Sequence, residues 1–208
     1  MTEGFKMTYL EAINYVITQV GAAPVTDEAD TLPDVASSKL RLTEASRWVQ
    51  KRGWWFNTDL NVEYVPDSGD AYRIALPANL IKILHAAPAF LIERGGFAYN
   101  PYTQSTSFEG LACVVVDVVL ENAWDDLPQS AQDCIRIAAA QQHILIELED
   151  TRKADMLSDL YREALVDMKK DDLEIRKRTM RYNPSTIRTK SGVRPYRSGS
   201  RNPLYPGG

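Results

Sequence analysis

The hydrophobic pattern of this chain changes period twice, and that change constrains its fold more than any other feature. Apolar residues recur every three or four positions up to about residue 53 and again after residue 124. The stretch between them alternates short β-rich runs with turn residues. The first spacing is typical of amphipathic helices and the second of strands joined by hairpins. The sequence therefore predicts an α+β protein.

Two helices are expected in the N-terminal part. Thr8 and Glu11 have the spacing of a capping box, which predicts a helix from there to Gly21. After a turn-rich connector, a second helix is predicted from about residue 35 to 52, with Gly53 at its end. The apolar sides are predicted to be Leu10, Ile13, Ile17 and Val20 on the first helix, and Leu42, Ala45, Trp48 and Val49 on the second.

The middle of the chain is expected to form a small antiparallel sheet with hairpins. Its β-rich runs are LNVEYV, YRIAL, FLIER, FAYN and LACVVVDVV, and turn residues separate them. Gly95-Gly96 is predicted to be a hairpin turn, because glycine adopts positive φ without a steric cost.

Two further helices follow. Asp126 or Ser130 is predicted to cap the third, with Pro128 in its first turn. Its apolar face is predicted to be Ala131, Cys134, Ile135, Ala138, Leu145 and Leu148. The last helix has the cleanest periodicity and is expected to become basic and exposed before Asn183-Pro184 stops it. Its apolar residues are Ala154, Leu157, Leu160, Tyr161, Ala164, Leu165 and Met168.

These elements divide the chain into four predicted parts. Residues 1–53 and 124–183 supply two helices each to an antiparallel helix bundle, and residues 54–123 form the inserted β-rich region. Residues 184–208 form an extended basic tail, rich in proline and glycine.

Charge is distributed unevenly between these parts. The net charge is −4, yet residues 175–208 hold nine basic residues and no acidic one. The other 15 basic residues and all 28 acidic ones lie in residues 1–174, which therefore carry a net charge of −13. An acidic body with a cationic tail is the strongest compositional signal in the chain.

Metal binding and catalysis are not indicated. Cys113 and Cys134 lie in apolar segments without a CxxC spacing, which predicts buried free thiols in a protein made in a reducing cytoplasm. His85 lies in a β-rich run, and His143 stands four residues before Glu147 on a predicted helix. Neither histidine has further ligands at metal-binding spacing, so structural roles are expected, and no cofactor is expected.

Carboxylate clusters are interpreted as solvated surface. Paired acids can hydrolyse a glycoside when one of them is desolvated. The clusters Asp125-Asp126, Glu147/Glu149/Asp150 and Asp171-Asp172 instead lie at predicted helix ends and on polar faces. Trp48, Trp54 and Trp55 meet at the end of the second helix; burial in the core is favoured over stacking on a sugar or base.

A soluble protein is expected. The first ten residues lack the basic and apolar regions of a signal peptide. The longest apolar stretch, LACVVVDVVL, is too short to span a bilayer and contains Asp117.

The basic tail has three possible interpretations. It can be an arm that neutralises nucleic-acid phosphates, a disordered solubilising segment, or an extended peptide held by a protein partner. Tyrosines and prolines interleaved with the cations favour a protein groove, because proline lowers the entropy lost on ordering. In that interpretation Tyr196 and Tyr205 are anchors, while Arg194, Arg197 and Arg201 pair with carboxylates.

Four segments, in the same order, resemble the tail tubular protein A family of short-tailed bacteriophages. VQKRGWWFN at 49–57 is similar to the family stretch Q-x-R-G-W-x-F-N. The other segments are LPANLIKI at 76–83, IERGGFAYNPYTQS at 92–105 and VVLENAWDDLPQSAQDCIRIAAAQQ at 118–142. Each segment alone is weakly specific, and the four together are strong.

The resemblance implies a structural virion protein, not an enzyme: the tail adaptor or gatekeeper at the head–tail junction, assembled in the host cytoplasm. Family members form a ring of twelve copies beneath the dodecameric portal. The nozzle (tail tubular protein B) docks below, tail fibres often attach near the joint, and viral DNA passes through the channel without sequence-specific binding. The implied protein needs no cofactor and does not insert into a membrane.

The family's pattern does not extend to the C-terminal tail, so the portal contact is a separate hypothesis. The residues expected to bind the portal are Arg176, Lys177, Arg178, Arg181, Arg188, Lys190, Arg194, Tyr196, Arg197, Arg201 and Tyr205. Two alternative functions stay open. One is a virion-associated polysaccharide-degrading enzyme, and the other is a head-completion connector of a long-tailed phage.

Overall fold

The structure is a computed structural model that describes residues 6–182, and it confirms the α+β fold. The α-helices of this part are α1 (Tyr9–Gln19), α2 (Pro33–Gln50), α3 (Gln129–Glu147) and α4 (Thr151–Tyr182). The strands are β1 (Thr58–Tyr64), β2 (Leu80–Ala87), β3 (Ile92–Arg94), β4 (Phe97–Tyr99) and β5 (Val114–Leu120). None of the described helices is long and apolar enough to cross a bilayer.

The chain divides into two compact units. The first extends to Asp172 and contains the sheets and most of the helical residues. The second begins at Leu173, and its described part is helical as far as Tyr182. The finer division at residues 53, 123 and 183 stays a prediction.

Hydrogen bonds near the helix ends give the direction of α2 relative to α3. The Ser37 hydroxyl, near the start of α2, donates to the Glu147 carboxylate at the end of α3 at 3.1 Å. Gln50, the last residue of α2, bonds to Asn122, a few residues before α3 begins. The two helices therefore run antiparallel, as the bundle prediction requires.

The helices share one hydrophobic core. All four helices and the turn before α3 contribute fully buried side chains to it. The largest of these include Ile13, Ile17, Leu42, Leu127, Ile135, Ile144 and Met168. The predicted Thr8–Glu11 capping box is present, and it satisfies backbone N–H groups that the first turn of α1 leaves without helical partners.

The β region has its own core. β5 lies between β1 and β2 in an antiparallel sheet, with Thr58 opposite Val119 and Ile83 opposite Val118. Buried side chains from β5, β4 and the loops fill this second cluster: Ile74, Leu76, Leu91, Ala98, Phe108, Val114, Val116 and Val118. β3 and β4 form a separate hairpin whose turn is Gly95-Gly96, with φ of 63° and 82°, as predicted.

Two predictions for the β region were wrong. YRIAL, at residues 72–76, is not a strand; within it, Arg73 and Ala75 form only isolated bridges. Ile74 and Leu76 are buried there as loop residues, which explains the apolar pattern without a strand. β2 was not listed as a separate strand, although His85 was placed in a β-rich run, because LIKILHAA does not alternate between apolar and polar residues.

Predictions for the helix faces were wrong at a few positions. Neither Asp126 nor Ser130 caps α3, which begins after Pro128 without a side-chain cap. Four residues expected on apolar faces are exposed by 42–48% instead: Trp48, Leu145, Leu148 and Leu160.

Candidate functional site

The segment VQKRGWWFN forms a hydrogen-bonded joint between the helix bundle and the sheet. Gln50 closes α2, and Asn57 precedes β1. The Asn57 side-chain amide donates to the backbone oxygens of Gln50 and Leu120, both at 3.0 Å, and its oxygen accepts from the Trp54 N–H at 2.8 Å. Asn57 and Gln50 are buried, so these bonds form away from water, where an unpaired amide is costly.

Other segments that resemble the family complete this joint. The Asn122 side chain donates to the backbone oxygen of Phe56 at 2.8 Å. Asn79, in LPANLIKI, exchanges two hydrogen bonds with Glu121: one between backbone groups at 2.7 Å and one from its side chain at 3.0 Å. Polar residues in three of the four segments therefore fix the orientation of the sheet relative to α2 and the turn before α3.

A groove of about 550 Å³ opens beside α1 and α2. Its lining residues are Thr8, Tyr9, Glu28, Leu42, Thr43, Ser46, Trp124 and Asp125. The rings of Tyr9 and Trp124 meet edge to face, with centroids 5.7 Å apart. The Trp124 indole N–H donates to the Met7 carbonyl at 2.9 Å, which fixes the ring in the wall.

Acidic side chains line the groove. It contains the exposed carboxylates of Glu28 and Asp125, and no basic side chain among the described residues lines it. Burial raises the pKa of the Tyr9 phenol, and the nearby Glu28 charge raises it further, whereas a hydrogen bond with Thr43 lowers it. Two ammonium groups lie near these residues and offset part of the negative charge: Lys6 donates to the backbone carbonyl of Asp125, and Lys39 to that of Glu28.

The three tryptophans near the end of α2 do not all belong to the core. Trp54 is buried, and its indole N–H donates to the Val49 carbonyl at 2.8 Å. Trp55 is half-buried, and its backbone N–H donates to the Asp172 carboxylate at 3.1 Å. Trp48 is 48% exposed on α2 and packs against Tyr161, with ring centroids 5.6 Å apart. The predicted burial is thus wrong for Trp48, which adds an aromatic side chain to the surface.

A second exposed apolar surface lies in the β region. Leu84, Phe90, Ile92 and Tyr102 are all exposed, and the rings of Phe90 and Tyr102 lie 5.8 Å apart. Exposed apolar side chains gathered in this way are common in protein–protein contacts.

The predicted carboxylate clusters are largely solvent-exposed in the part of the chain that the structure describes. Asp125 and Asp126 lie in an exposed 3₁₀ turn, and Glu149 and Asp150 are exposed between α3 and α4. Asp172 has a structural contact with Trp55. Among the described residues, no group of three or more His, Cys, Asp or Glu side chains is placed to hold a metal ion.

His143 and Cys134 are core residues. Both ring nitrogens of the fully buried His143 are without a hydrogen-bond partner among the described residues, so the Glu147 pairing considered from sequence does not form a hydrogen bond. Burial lowers the pKa of His143. Burial also raises the pKa of the Cys134 thiol to about 12. Cys113 is only half-buried, which corrects the expectation of two buried thiols.

The structure describes few of the residues expected to bind the portal. Arg176 and Lys177 are exposed near the end of α4, and Arg178 and Arg181 also lie within this helix. The others lie outside the described residues: Arg188, Lys190, Arg194, Tyr196, Arg197, Arg201 and Tyr205.

A match to a protein-family model decides to which family the chain belongs. The model of the family described as Tail tubular protein (Tube) matches residues 10–185. The chain belongs to the tail tubular protein family. It is therefore a structural component of a bacteriophage tail, which assembles into the tail of the virion. No curated protein matches the chain.

The match changes how the joint and the groove are interpreted. A tail tubular protein assembles with other tail subunits. The residues of its exposed apolar and charged surfaces are therefore the candidates for these contacts. The hydrogen bonds of the joint hold together the sheet and the helices that carry these surfaces. Sequence reasoning did not find the groove, since Tyr9 and Glu28 are far from Trp124 and Asp125 along the chain and share no local pattern.

Proposed function

We propose that this tail tubular protein is the adaptor, or gatekeeper, subunit that joins the portal to the tail nozzle. Copies of the chain form a closed ring, with twelve subunits as the family resemblance implies. The ring forms part of the channel through which the genome is ejected, and tail fibres attach near the same joint. The uneven charge carries this proposal: residues 1–174 have a net charge of −13, and residues 175–208 have nine cations.

The acidic body suits a DNA conduit. A channel wall with negative charge repels phosphates and lets the duplex pass, whereas a basic wall would bind it. Asp126, Glu149 and Asp150 are exposed, so they contribute to the field outside the protein.

The cationic segment suits a docking arm on the portal. Arg176 and Lys177 already extend the basic sequence along an exposed helix. Arginines pair with carboxylates in two-pronged hydrogen bonds, and tyrosines bury large amphipathic rings. We propose that the eleven residues predicted from sequence make this contact, from Arg176 to Tyr205.

A binding experiment with matched charge changes tests the proposal. The full chain, a variant with Arg194, Arg197 and Arg201 changed to Gln, and a control are each mixed with purified portal protein. The control changes three exposed body cations, Lys51, Arg152 and Lys169, to Gln. Both variants lose three positive charges, so general electrostatic attraction is reduced equally.

We expect the portal affinity of the tail variant to fall about ten-fold or more, because each lost charge contact contributes several tenths of a kcal/mol or more. The control should bind within about three-fold of the unchanged protein. Equal weakening by both variants would mean that only net charge matters. Normal binding by the tail variant would refute the docking arm.

A further inference from the structure

We propose that the groove between Tyr9 and Trp124 binds the basic segment, residues 184–208, of a second copy of the chain. This inference deepens the proposed function, because it assigns a further contact to the same cationic segment. The contact would join neighbouring subunits, in addition to any contact with the portal.

The chemistry of the groove favours a cationic, extended peptide. Two aromatic rings form part of the wall, and the Glu28 and Asp125 carboxylates lie at the same opening. A guanidinium stacks on an aromatic face and bonds to carboxylates at the same time. The hydroxyls of Thr8, Thr43 and Ser46 add polar atoms along the wall. Nucleic acid does not suit this surface, since its phosphates would face the two carboxylates.

The basic segment has the complementary composition. Within residues 184–208 there are five cations, Arg188, Lys190, Arg194, Arg197 and Arg201, and no acidic residue. Tyr196 lies between two arginines in the run RPYR, so one short stretch offers both charge and a ring. Its proline lowers the entropy lost when such a peptide is ordered.

A second copy is the proposed occupant because a tail tubular protein assembles with other subunits, and the groove and the segment are two different surfaces that neighbouring copies can bring together. A contact between different surfaces of identical subunits is heterologous, and repetition of such a contact closes a ring when the rotation permits. A tail tubular protein assembles into a multi-subunit structure. A segment of 25 residues spans up to about 80 Å when extended, so it can cross a neighbour and reach a further partner.

Photo-crosslinking between isotope-labelled copies tests this contact. Tyr196 is replaced by p-benzoylphenylalanine in the full chain, ¹⁴N and ¹⁵N copies are mixed, and crosslinked peptides are identified by mass spectrometry. We expect crosslinks from position 196 to peptides that contain Tyr9 or Trp124, and they should join chains of different isotope content. The Glu28→Lys, Asp125→Lys variant should reduce their yield at least ten-fold.

Asp126→Lys is the matched control for the single variant Asp125→Lys, which reverses one charge and should reduce the crosslink yield at least three-fold; Asp126 is exposed in the same turn but does not line the groove. The control should retain most of the crosslinks. If charge reversal perturbs folding by circular dichroism, the neutral pair Glu28→Gln, Asp125→Asn takes its place, with a loss of at least three-fold expected. Crosslinks only within single chains, or equal losses in Asp126→Lys and Asp125→Lys, would overturn the inference.

Portal binding by the same variants separates this inference from the adaptor function. A chain that binds the portal but shows no crosslinks to the groove would leave the adaptor function standing and remove the groove contact. A chain that shows the expected crosslinks but does not bind the portal would support the groove contact and refute the adaptor function.

Discussion

Gln50 and Asn122 exchange two hydrogen bonds although they lie 72 residues apart: the Gln50 side-chain oxygen accepts from the Asn122 backbone N–H at 2.8 Å, and the Gln50 amide donates to the Asn122 carbonyl at 3.1 Å. This pair closes the joint between the end of α2 and the chain that leaves β5. The joint holds the sheet at a fixed place on the helix bundle, which a subunit of a rigid tube requires.

Loss of the Asn57 side chain should lower the stability of the protein strongly. Asn57→Ala removes three hydrogen bonds and leaves buried backbone groups without partners, so the free energy of unfolding should fall by about 2–4 kcal/mol. Urea denaturation followed by circular dichroism measures the change. Asn79→Ala is the control, because it removes one exposed side-chain hydrogen bond and should cost about 1 kcal/mol or less. Equal losses would show that the joint is not a stabilising centre.

Replacement of Gly53 by a residue with a Cβ atom should strain the joint. The φ of Gly53 is +79°, and a Cβ atom there would lie 3.0 Å from the Val119 side chain in the sheet. Gly21 also has positive φ, +87°, but a Cβ atom there would meet nothing within 4 Å. Gly21→Ala should therefore cost about 1 kcal/mol from the backbone alone, and Gly53→Ala about 1 kcal/mol more. The prediction fails if thermal unfolding shows the same loss for both.

Cys134 should be protected from alkylation in the folded protein. Burial raises the pKa of its thiol to about 12, so its thiolate fraction at pH 8 is roughly a thousand-fold below that of an ordinary thiol. Iodoacetamide should modify the half-buried Cys113 first. Mass spectrometry of native and urea-unfolded protein distinguishes the sites, and Cys113→Ser should abolish rapid labelling. Rapid labelling of Cys134 in the native protein would contradict its placement in the core.

His143 should make stability depend on pH. Burial lowers its pKa in the folded protein, and the Arg41 charge acts in the same direction, whereas Glu147 and Asp34 act against it. As pH falls below about 6.5, the unfolded state binds the proton first, so the free energy of unfolding decreases. The stabilising contribution is complete above that pH and is lost on acidification.

Urea denaturation between pH 5 and pH 7.5 measures this effect. His143→Leu should reduce the slope by at most about 1.4 kcal/mol per pH unit, the limit for one proton. His85→Gln changes an exposed histidine on β2 and serves as the control. An unchanged slope in His143→Leu would show that His143 does not titrate differently on folding.

The helices could be predicted from sequence because each of them has a regular apolar face. Thr8 and Glu11 gave the start of α1. The predicted stop of α4 at Asn183-Pro184 lies outside the described residues. Predictions of which face is buried were less accurate. Trp48 and Leu160 are apolar but exposed, and hydropathy alone does not separate a core residue from one at a subunit interface.

The β region and the groove show why the rest could not be predicted. β2 lacks alternation, and its place beside β5 depends on pairing with a strand about 30 residues later. The groove combines residues near 9, 28, 43 and 125, so no sequence window contains it. Such features depend on how elements pack and not on their individual patterns.

Electron cryomicroscopy of the full chain mixed with its portal protein tests the adaptor function most directly. We expect a closed ring of twelve subunits bound to one end of the portal. Density for the basic segment, including Arg194 and Arg197, should lie on a neighbouring subunit or on the portal. Free subunits beside an undecorated portal, or an open helical assembly that leaves the portal bare, would contradict it.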